Sequence, residues 1–330
     1  MNPIQFKEKF KSRIFHIDSA NFNEEAIKLF RFQASENPVY RQYIDLLGID
    51  ADSVEFVEEI PFLPISFFKT HKIKTGDYLI QRYFESSGTT GMVRSRHLIA
   101  DTLFYEKVSE KIFSRFYGKL SDYSLLALLP SYKENPNSSL IYMIDSFMKK
   151  CDHEHSGYYD VEGLLSRLKS LEKIKKKILV VGVTYALMDF ASDFDGQLSN
   201  CIVIETGGMK GRRKEMLREE VHEYLSLKLG VNEIHSEYGM TELLSQAWSK
   251  GNGNFQGPPW MKILVRDIND PFELLQTGKT GGINVIDLAN VDSCAFIATE
   301  DLGRVCDDET FNVLGRFDNS DLRGCNLMYF

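Results

Sequence analysis

Two short segments of this chain carry residue types that bind phosphate and nucleotide groups. The first combines hydroxyl side chains with glycines. Glycine leaves the backbone free to wrap around an anion, and hydroxyls with successive backbone amides can donate to phosphate oxygens. An ordinary polar turn between a strand and a helix would have the same composition, and no Gly-Lys-Ser/Thr sequence follows as in the Walker motif. The segment consists of Ser86, Ser87, Gly88, Thr89, Thr90 and Gly91.

Positive charge follows directly, at Arg94, Arg96 and His97. The second segment is Tyr-Gly-Met-Thr-Glu, which begins at Tyr238. A tyrosine ring can stack on adenine, a threonine hydroxyl can bind phosphate, and a glutamate is an oxygen ligand suited to Mg²⁺. A plain Tyr-Gly turn with capping Thr and Glu is the alternative interpretation. The positions concerned are Tyr238, Gly239, Thr241 and Glu242.

The surrounding pattern predicts the elements that position these segments. The first 47 residues show helical spacing, and residues 60–69, with two prolines, are expected to be extended. Apolar strands then alternate with helices, which predicts an α/β fold with largely parallel sheets flanked by helices. From residue 260 short strands and turns predict a small β-rich subdomain. Predicted strands are 83–86, 124–129, 178–182 and 201–205, then 262–266, 282–288, 295–298 and 311–314; predicted helices are 101–116, 139–149, 164–175 and 214–229.

The two segments together resemble the paired signature of the acyl-adenylate-forming (AMP-binding) superfamily, which includes acyl-CoA synthetases and luciferases. The similarity runs from about residue 35 to the end of the chain. It implies that superfamily's N-terminal domain fold, with ATP and Mg²⁺ used to activate a carboxylic acid. Residues 86–91, with Arg96 and His97, would bind the phosphates, Thr241 would orient the α-phosphate, and Glu242 would hold Mg²⁺.

The resemblance extends to further nucleotide-binding positions. Gly207 and Gly208 are similar to the superfamily's glycine turn against adenine, where Tyr238 and Gly239 would also lie. Asp301 stands where these enzymes bind the ribose hydroxyls. Residues 314–319 resemble the hinge motif, with Arg316 near the ribose and Asp318 at the pivot.

Three segments narrow the resemblance to the acyl-protein synthetase (LuxE) family and its phenylacetate-CoA-ligase-like relatives. They are residues 60–64, residues 95–97 and the tail from Gly315 to Cys325. The family likeness implies that the acyl group, expected to be a fatty acyl group, passes to an enzyme cysteine near the C-terminus and then to an acyl reductase.

Cys325 is the candidate acceptor. Gly324 gives its backbone freedom, and Arg323 would favour the attacking thiolate. The alternative is a small residue that packs the tail onto the body. Coenzyme A as acceptor, in an acyl- or aryl-CoA ligase, stays open, as does a nonenzymatic nucleotide-binding subunit.

Two departures from the superfamily pattern affect these expectations. The lysine of the usual phosphate-loop signature is missing, so Arg94, Arg96 or His97 would supply the charge. The chain also ends shortly after Asp318, which leads us to expect that the C-terminal lid domain, with its catalytic lysine, is absent. We therefore expect a helical start and α/β core over residues 1–259 and a β-rich subdomain over residues 260–330 that ends at a truncated hinge.

Composition limits the function classes. The 330 residues are 43% hydrophobic and carry a net charge of −8, which suits a folded protein and argues against nonspecific nucleic-acid binding. Five cysteines without a CxxC pair indicate neither a zinc ribbon nor a disulfide framework. The N-terminus lacks the apolar stretch of a signal peptide, and no apolar run reaches the roughly 18 residues of a membrane span. The sequence therefore predicts a cytoplasmic protein.

Overall fold

A computed structural model of the chain describes residues 2–87, 93–130, 135–171, 176–198, 200–207 and 216–317. These residues form two compact units. The first consists of residues 2–67, 73–76 and 259–317, and the second of Phe68–Lys72 and Asp77–Pro258. The expected division at residue 259 stays a prediction about domains. In the structure the chain enters the first unit again at Pro259, and the N-terminal helices belong to that same unit.

Helices and strands alternate through most of the described chain. The helices are α1 (Pro3–Arg13), α2 (Phe22–Glu36), α3 (Pro38–Leu46), α4 (Phe67–Thr70), α5 (Thr102–Tyr117), α6 (Ser139–Met148), α7 (Val161–Leu171), α8 (Thr184–Asp193) and α9 (Arg218–Leu229). The strands are β1 (Leu63–Pro64), β2 (Arg82–Glu85), β3 (Arg96–Ile99), β4 (Tyr123–Leu128), β5 (Gly157–Tyr158), β6 (Lys177–Gly182), β7 (Cys201–Glu205), β8 (His235–Tyr238), β9 (Ala247–Ser249), β10 (Met261–Arg266), β11 (Gly281–Asp287), β12 (Phe296–Val305) and β13 (Phe311–Arg316).

The first unit packs α1–α3 with a five-stranded sheet. Its strands lie in the order β1-β12-β11-β10, and β13 pairs with β12. All the pairs are antiparallel except β1 with β12. Phe30 of α2 makes an edge contact with the ring of Phe296 of β12, with centroids 5.8 Å apart. The aromatic and aliphatic face of α2 thus covers this sheet.

Local sequence explains where the first helices begin. The Asn2 side chain accepts from the backbone N–H of Gln5, and the Gln5 side chain accepts in return from the backbone of Asn2, which forms a capping box. Asn37 caps α3 through the N–H of Tyr40 at 3.1 Å, and Pro38 occupies the first helical position, where no N–H is needed.

The second unit is built on a six-stranded sheet in the order β5-β4-β6-β7-β8-β9. The first five strands are parallel, and β9 returns antiparallel to β8. Helices α7–α9 cover one face, where Leu126, Val180 and Val203 of the strands lie in one apolar core with Leu164 and Leu225 of the helices. The other face carries α5 and α6, whose Phe113 and Phe147 pack together, and Phe113 also contacts Tyr123 of β4.

The expected α/β architecture is confirmed. The N-terminal helices are present, and each predicted strand except β12 is found within two residues of its expected bounds. The segment 60–69 contains the short strand β1 as an extended part, but it turns at Ile65 and Ser66 and ends in the four-residue helix α4. The sequence reading missed α8 and the short strands β3, β5, β8 and β9, and it made β12 too short.

Two expectations from composition can be compared with the described residues. Cys151, Cys201, Cys294 and Cys306, the cysteines within them, form no disulfide. In the same part of the chain, none of the helices is both long enough and apolar enough to cross a lipid bilayer.

Candidate active site

The second unit places several candidate residues at one edge of its sheet. Parallel strands β6, β7 and β8 end at Gly182, Glu205 and Tyr238. In α/β sheets of this kind, ligands bind beyond the carboxyl ends of the strands. The Gly207 turn and the Tyr-Gly-Met-Thr-Glu segment both follow directly at this edge.

The proposed phosphate loop is closed by an antiparallel pair of strands. Strand β2 enters it and β3 leaves it, with Phe84 opposite His97 and Glu85 opposite Arg96. At the mouth, the Ser86 N–H donates to the Ser95 carbonyl at 3.1 Å, and the Ser95 N–H donates to Ser86 Oγ at 3.0 Å. Ser86 therefore helps to close the loop. Four of the predicted phosphate ligands, Gly88, Thr89, Thr90 and Gly91, lie outside the described residues.

Two of the expected cationic groups are paired with one carboxylate. Arg96 Nε lies 3.0 Å from Glu85 Oε1, and Arg94 Nη1 lies 3.3 Å from Glu85 Oε2. The Arg96 side chain is 64% exposed, and exposed ion pairs contribute only about 0–1 kcal/mol. A phosphate group could therefore compete with Glu85 for these guanidinium groups.

His97 connects β3 with the second motif. Its ring is buried and meets the Phe68 ring edge-on at 5.9 Å. His97 Nδ1 lies 2.9 Å from the backbone oxygen of Thr241. Because a carbonyl oxygen can only accept, Nδ1 carries the proton in this contact. One hydrogen bond thus ties the strand that leaves the phosphate loop to the threonine expected at the α-phosphate.

Within the second motif, burial alternates with exposure. The Tyr238 ring is buried, lies 5.8 Å from the Phe255 ring, and its hydroxyl contacts Met240 Sδ at 3.5 Å. Gly239 is exposed, whereas Glu242 is only 5% exposed. Stacking of adenine on Tyr238 stays a prediction, and the structure adds that much of this ring already packs against protein.

The glycine turn after β7 requires glycine for conformational reasons. Gly207 has φ +77°, in the left-handed region, and a Cβ there would meet nothing within 4 Å. The Gly207 N–H donates to Glu205 Oε1 at 2.7 Å, so Glu205 fixes the turn. Gly208, its predicted companion, lies outside the described residues.

Glu205 is the centre of a hydrogen-bond network that the sequence reading missed. Its carboxylate accepts from the Thr184 hydroxyl and, at 3.3 Å, from the Ser236 hydroxyl. Ser236 Oγ is also 3.2 Å from Nε2 of His222, a residue of α9. Burial by itself raises the pKa of Glu205, but the interactions with His222 and Thr184 and the positive charge of Arg218 hold that pKa below its ordinary value. The carboxylate is therefore ionised and can hold the turn at neutral pH.

The two residues expected at the ribose lie side by side in the first unit. Asp301 of β12 stands directly opposite Arg316 of β13, and Arg316 Nε donates to Asp301 Oδ1 at 2.9 Å. Asp301 is buried, and its own N–H donates to Thr299 Oγ1 at 3.1 Å. Their pairing follows from strand register. It is compatible with the expectation that both side chains bind the ribose.

The structure thus brings the predicted residues together in two sets. Ser86, Arg96 and His97 stand with Thr241 in the second unit, and Asp301 stands with Arg316 in the first. Cys325 lies outside the described residues. Within those residues, no group of three or more His, Cys, Asp or Glu side chains could hold a metal ion. Glu242 would supply a carboxylate together with nucleotide phosphates, an arrangement that Mg²⁺ commonly takes.

The second unit also contains a surface groove of about 310 Å³ beside α9. Arg218, His222 and residues 251–253 are among its lining residues. The residues that line it include none of those expected at the nucleotide. The groove adjoins the Glu205 network, because His222 lines the groove and also contacts Ser236 of that network.

Comparison with known proteins finds relatives by sequence and by fold. No protein-family model matches the chain. The chain is 23% identical over 325 residues to the long-chain-fatty-acid–luciferin-component ligase of Vibrio harveyi, a match that covers 90% of this chain and 84% of that protein. It is also 23% identical over 327 residues to the protein of the same name from Aliivibrio fischeri, covering 90% of this chain and 85% of that one.

Solved structures agree on the fold. A 2-hydroxyisobutyryl-CoA ligase in complex with 2-HIB-AMP and CoA matches with a TM-score of 0.67 at 12% identity, over 92% of this chain and 71% of that one. ATP-bound MatB from Rhodopseudomonas palustris matches with a TM-score of 0.54 at 15% identity, over 71% of this chain, which spans only 47% of the MatB chain. The chain is thus similar over nine-tenths of its length to two ligases of the kind that its motifs resemble, and it shares the fold of the solved ligases.

Proposed function

We propose that this chain is an ATP-dependent, AMP-forming ligase that activates a carboxylic acid, of the fatty acid class, and transfers the acyl group to a protein cysteine thiol. The observation that carries the proposal is the hydrogen bond from His97 to the Thr241 carbonyl, which joins the two motifs expected at the nucleotide phosphates. The names of the Vibrio harveyi and Aliivibrio fischeri relatives support the acid class and the ligase activity.

In the first step, a carboxylate oxygen of the acid forms a bond to the α-phosphorus of ATP while the bond to the departing pyrophosphate breaks. Thr241 would orient the α-phosphate, and residues 86–91 would hold the pyrophosphate with Arg96 and His97. Glu242 would hold Mg²⁺, which supplies charge neutralisation when bound. The protein's part is mainly positioning and stabilisation of developing charge.

In the second step, a thiolate sulfur attacks the acyl carbonyl carbon, and the bond from that carbon to the AMP oxygen breaks. Cys325 is the proposed acceptor. The neighbouring Arg323 would favour the thiolate, which is the attacking form. An acyl reductase as the next acceptor, and a cytoplasmic location, stay predictions.

The test of the first step is isotope exchange between pyrophosphate and ATP, measured across a panel of carboxylic acids. Acid-dependent exchange is expected. Glu242→Gln should lose most of it while the far-UV circular dichroism spectrum is unchanged, because the variant lacks the proposed carboxylate ligand. Glu233→Gln, which alters an exposed carboxylate of the same unit, should retain it. ATP binding without exchange, whatever the acid, would favour the nonenzymatic nucleotide-binding subunit instead.

The acceptor is tested separately. The protein is incubated with ATP, Mg²⁺ and labelled fatty acid, and hydroxylamine-labile label is mapped by mass spectrometry. We expect label on Cys325, its loss in Cys325→Ser, and its retention in Cys306→Ser. Equal labelling of Cys325→Ser refutes Cys325 as acceptor, and thioester formation on added coenzyme A would identify a CoA ligase.

A further inference from the structure

Strand β12 is irregular next to the aspartate expected at the ribose. Its pairing with β1 ends at Ala298, and its pairing with β13 begins at Asp301. On its other side, the register with β11 leaves Ile283 as the one residue opposite Thr299, Glu300 and Asp301. Such irregularities disrupt the ladder locally and re-aim a side chain, and they are common beside active sites. The direction of Asp301 therefore depends on contacts other than a regular strand ladder.

An arginine of β10 supplies contacts to this irregular stretch by reaching across β11. Arg266 Nη1 donates to the Ile283 carbonyl at 2.8 Å, and Nη2 donates to the Thr299 carbonyl at 2.6 Å. Nη1 also donates to Asn284 Oδ1 at 2.7 Å. A guanidinium is planar and presents its donors in a fixed fork, so it holds its acceptors at a defined spacing. Arg266 thus bridges β11 and β12 at the point where their register shifts.

The Thr299 side chain connects this bridge to Asp301. Its hydroxyl donates to the Ile283 carbonyl at 2.8 Å, the same oxygen that accepts from Arg266. The same hydroxyl accepts from the Asp301 N–H at 3.1 Å. Two successive hydrogen bonds therefore lead from the carbonyl that Arg266 holds to the backbone of Asp301.

The guanidinium also contacts the residue that follows Arg316. The Cζ atom of Arg266 lies 5.8 Å from the centroid of the Phe317 ring. The Phe317 N–H donates to the Glu300 carbonyl at 2.8 Å, one residue before Asp301. The contacts of Arg266 thus reach both strands that carry the pair expected at the ribose, each within two residues of a member of that pair.

The surroundings of Arg266 fit a guanidinium that serves the backbone. A Cβ on Gly282 would be 2.7 Å from Arg266 Cζ and 3.0 Å from its Nε and Nη1, so the glycine leaves the space that the guanidinium occupies. Arg266 is half-buried, and it forms no ion pair with a carboxylate of the residues that the structure describes. Burying such a charge costs free energy unless it is hydrogen-bonded, and here the partners are neutral oxygens of the sheet.

We propose that Arg266 is a positioning residue, which holds the irregular stretch of β12 so that Asp301 points at the ribose hydroxyls of ATP. This role rests on the proposed function, in which Asp301 binds the ribose, and it adds a residue that acts on the nucleotide only through others. Hydrogen bonds weaken steeply when their geometry is poor. A small turn of the Asp301 carboxylate should therefore cost affinity for the ribose hydroxyls.

The test compares ATP with 2′,3′-dideoxy-ATP, which lacks both hydroxyls, by titration calorimetry in the presence of Mg²⁺. Arg266→Met removes every donor, and we expect it to weaken ATP by about fivefold or more and the dideoxy analogue by less than about twofold. Arg266→Lys keeps the charge without the fork, and its loss should be intermediate. A merely structural role would weaken both nucleotides alike.

Two further variants sharpen the comparison. Gly282→Ala places a methyl group where the guanidinium lies, and it should cause the same ATP-selective loss without removing the arginine. It and Arg266→Lys also answer the question if Arg266→Met does not fold. Arg304→Met is the matched control, because Arg304 of β12 donates to Asn312 Oδ1 outside the irregular stretch, and it should bind both nucleotides as the wild type does.

The outcomes separate this role from the function on which it rests. Equal losses for both nucleotides, or wild-type ATP affinity in Arg266→Met and Gly282→Ala, would overturn the role of Arg266. A wild type that binds ATP and the dideoxy analogue equally would refute the ribose assignment and this role with it. Absence of pyrophosphate exchange with every acid would refute the ligase function, whereas an ATP-selective loss in the variants would still support the role of Arg266.

Discussion

At the scale of single residues, pairs of side chains decide what the candidate site can bind. Asp301 and Arg316 are the clearest case, because strand register sets them opposite each other and a hydrogen bond of 2.9 Å joins them. A carboxylate held in this way presents its remaining lone pairs in a fixed direction. Such a group suits two neighbouring hydroxyls better than a freely rotating one.

Asp301→Ala is expected to weaken ATP binding at least tenfold and to leave acid binding nearly unchanged. A hydrogen bond to a charged group contributes roughly 1.5–3 kcal/mol, and about 1.4 kcal/mol corresponds to a factor of ten in affinity. Titration calorimetry with ATP, and separately with the acid, measures both. Asp307→Ala, at an exposed aspartate beyond the same strand, is the control, and wild-type ATP affinity in Asp301→Ala would disprove the ribose assignment.

The raised pKa of Glu237 predicts how this residue affects stability with pH. Burial, followed by the negative charge of Glu205, raises the pKa of the native carboxyl to about 8, whereas the unfolded carboxyl releases its proton near the ordinary pKa of 4.5. Between these values the native state binds more protons, so Glu237 lowers the free energy of unfolding as the pH rises through this window. Glu237→Gln removes the titrating group, and so it also removes this decrease in the free energy of unfolding.

We therefore expect the melting temperature of Glu237→Gln, relative to that of the wild type, to rise as the pH increases from 5 to 8.5. Thermal unfolding followed by circular dichroism at several pH values within this range measures the difference. The melting temperature of the control variant Glu233→Gln should change with pH in the same way as that of the wild type. A constant difference between Glu237→Gln and wild type would show that the carboxyl ionises normally in the folded protein.

At the scale of elements, a hydrogen bond joins the β2–β3 pair to the segment that follows β8. His97 belongs to β3, while the oxygen that it contacts belongs to Thr241. The ring is enclosed by protein on the side of Phe68, so it has little freedom to move. Any change in the position of β3 should therefore be transmitted to the threonine at the proposed α-phosphate.

His97→Ala is expected to reduce kcat/KM for pyrophosphate exchange by one to two orders of magnitude, since a misplacement of about 1 Å can reduce a rate roughly a hundredfold. His97→Asn offers an N–H donor at a similar distance and should restore part of the rate. His71→Ala, at an exposed histidine of the same unit, should have little effect. Equal rates in His97→Ala and wild type would show that the hydrogen bond between the two motifs does not contribute to the reaction.

Some of these elements could be predicted from the sequence and others could not. Apolar runs such as residues 178–182 and 201–205 predicted strands because both faces of a parallel sheet are buried. The sequence did not predict β8, because its His-Ser-Glu-Tyr residues are mostly polar and lie at the site and not in a uniform apolar core. Thr184 and His222 escaped notice since each is far in sequence from Glu205, and only the parallel strand order brings them to it.

At the scale of the whole molecule, long-range contacts join the N-terminal helices to the strands of the same unit. Gln33 of α2 is fully buried, and its Nε2 donates to the Asn290 carbonyl at 2.8 Å. Its Oε1 accepts from the Ala295 N–H at 2.9 Å. No pattern in the sequence foretells this contact, because a single glutamine on an apolar helix face gives no sign of its distant partner.

Gln33→Met should reduce the free energy of unfolding by about 1–3 kcal/mol, since a side chain of similar volume leaves a buried carbonyl and a buried N–H unsatisfied. Urea denaturation with two spectroscopic probes measures the change. Gln276→Met, at an exposed glutamine of the same unit, should stay within about 0.5 kcal/mol of the wild type. A loss for Gln33→Met no larger than that of the control would mean that water replaces both partners.

The parallel pairing of β1 with β12, in which Leu63 stands beside Ile297, also sets an order of events during synthesis. At about 5–20 residues per second, the ribosome needs on the order of ten to fifty seconds to pass from one partner to the other. Throughout that interval the apolar face of α2 has emerged without the strands that cover it. All the residues of the six-stranded sheet are synthesised within the same interval. The strands of the second unit's sheet are therefore all available for pairing before β12 can pair with β1, and until then the apolar face of α2 lacks the strands that it packs against in the native protein.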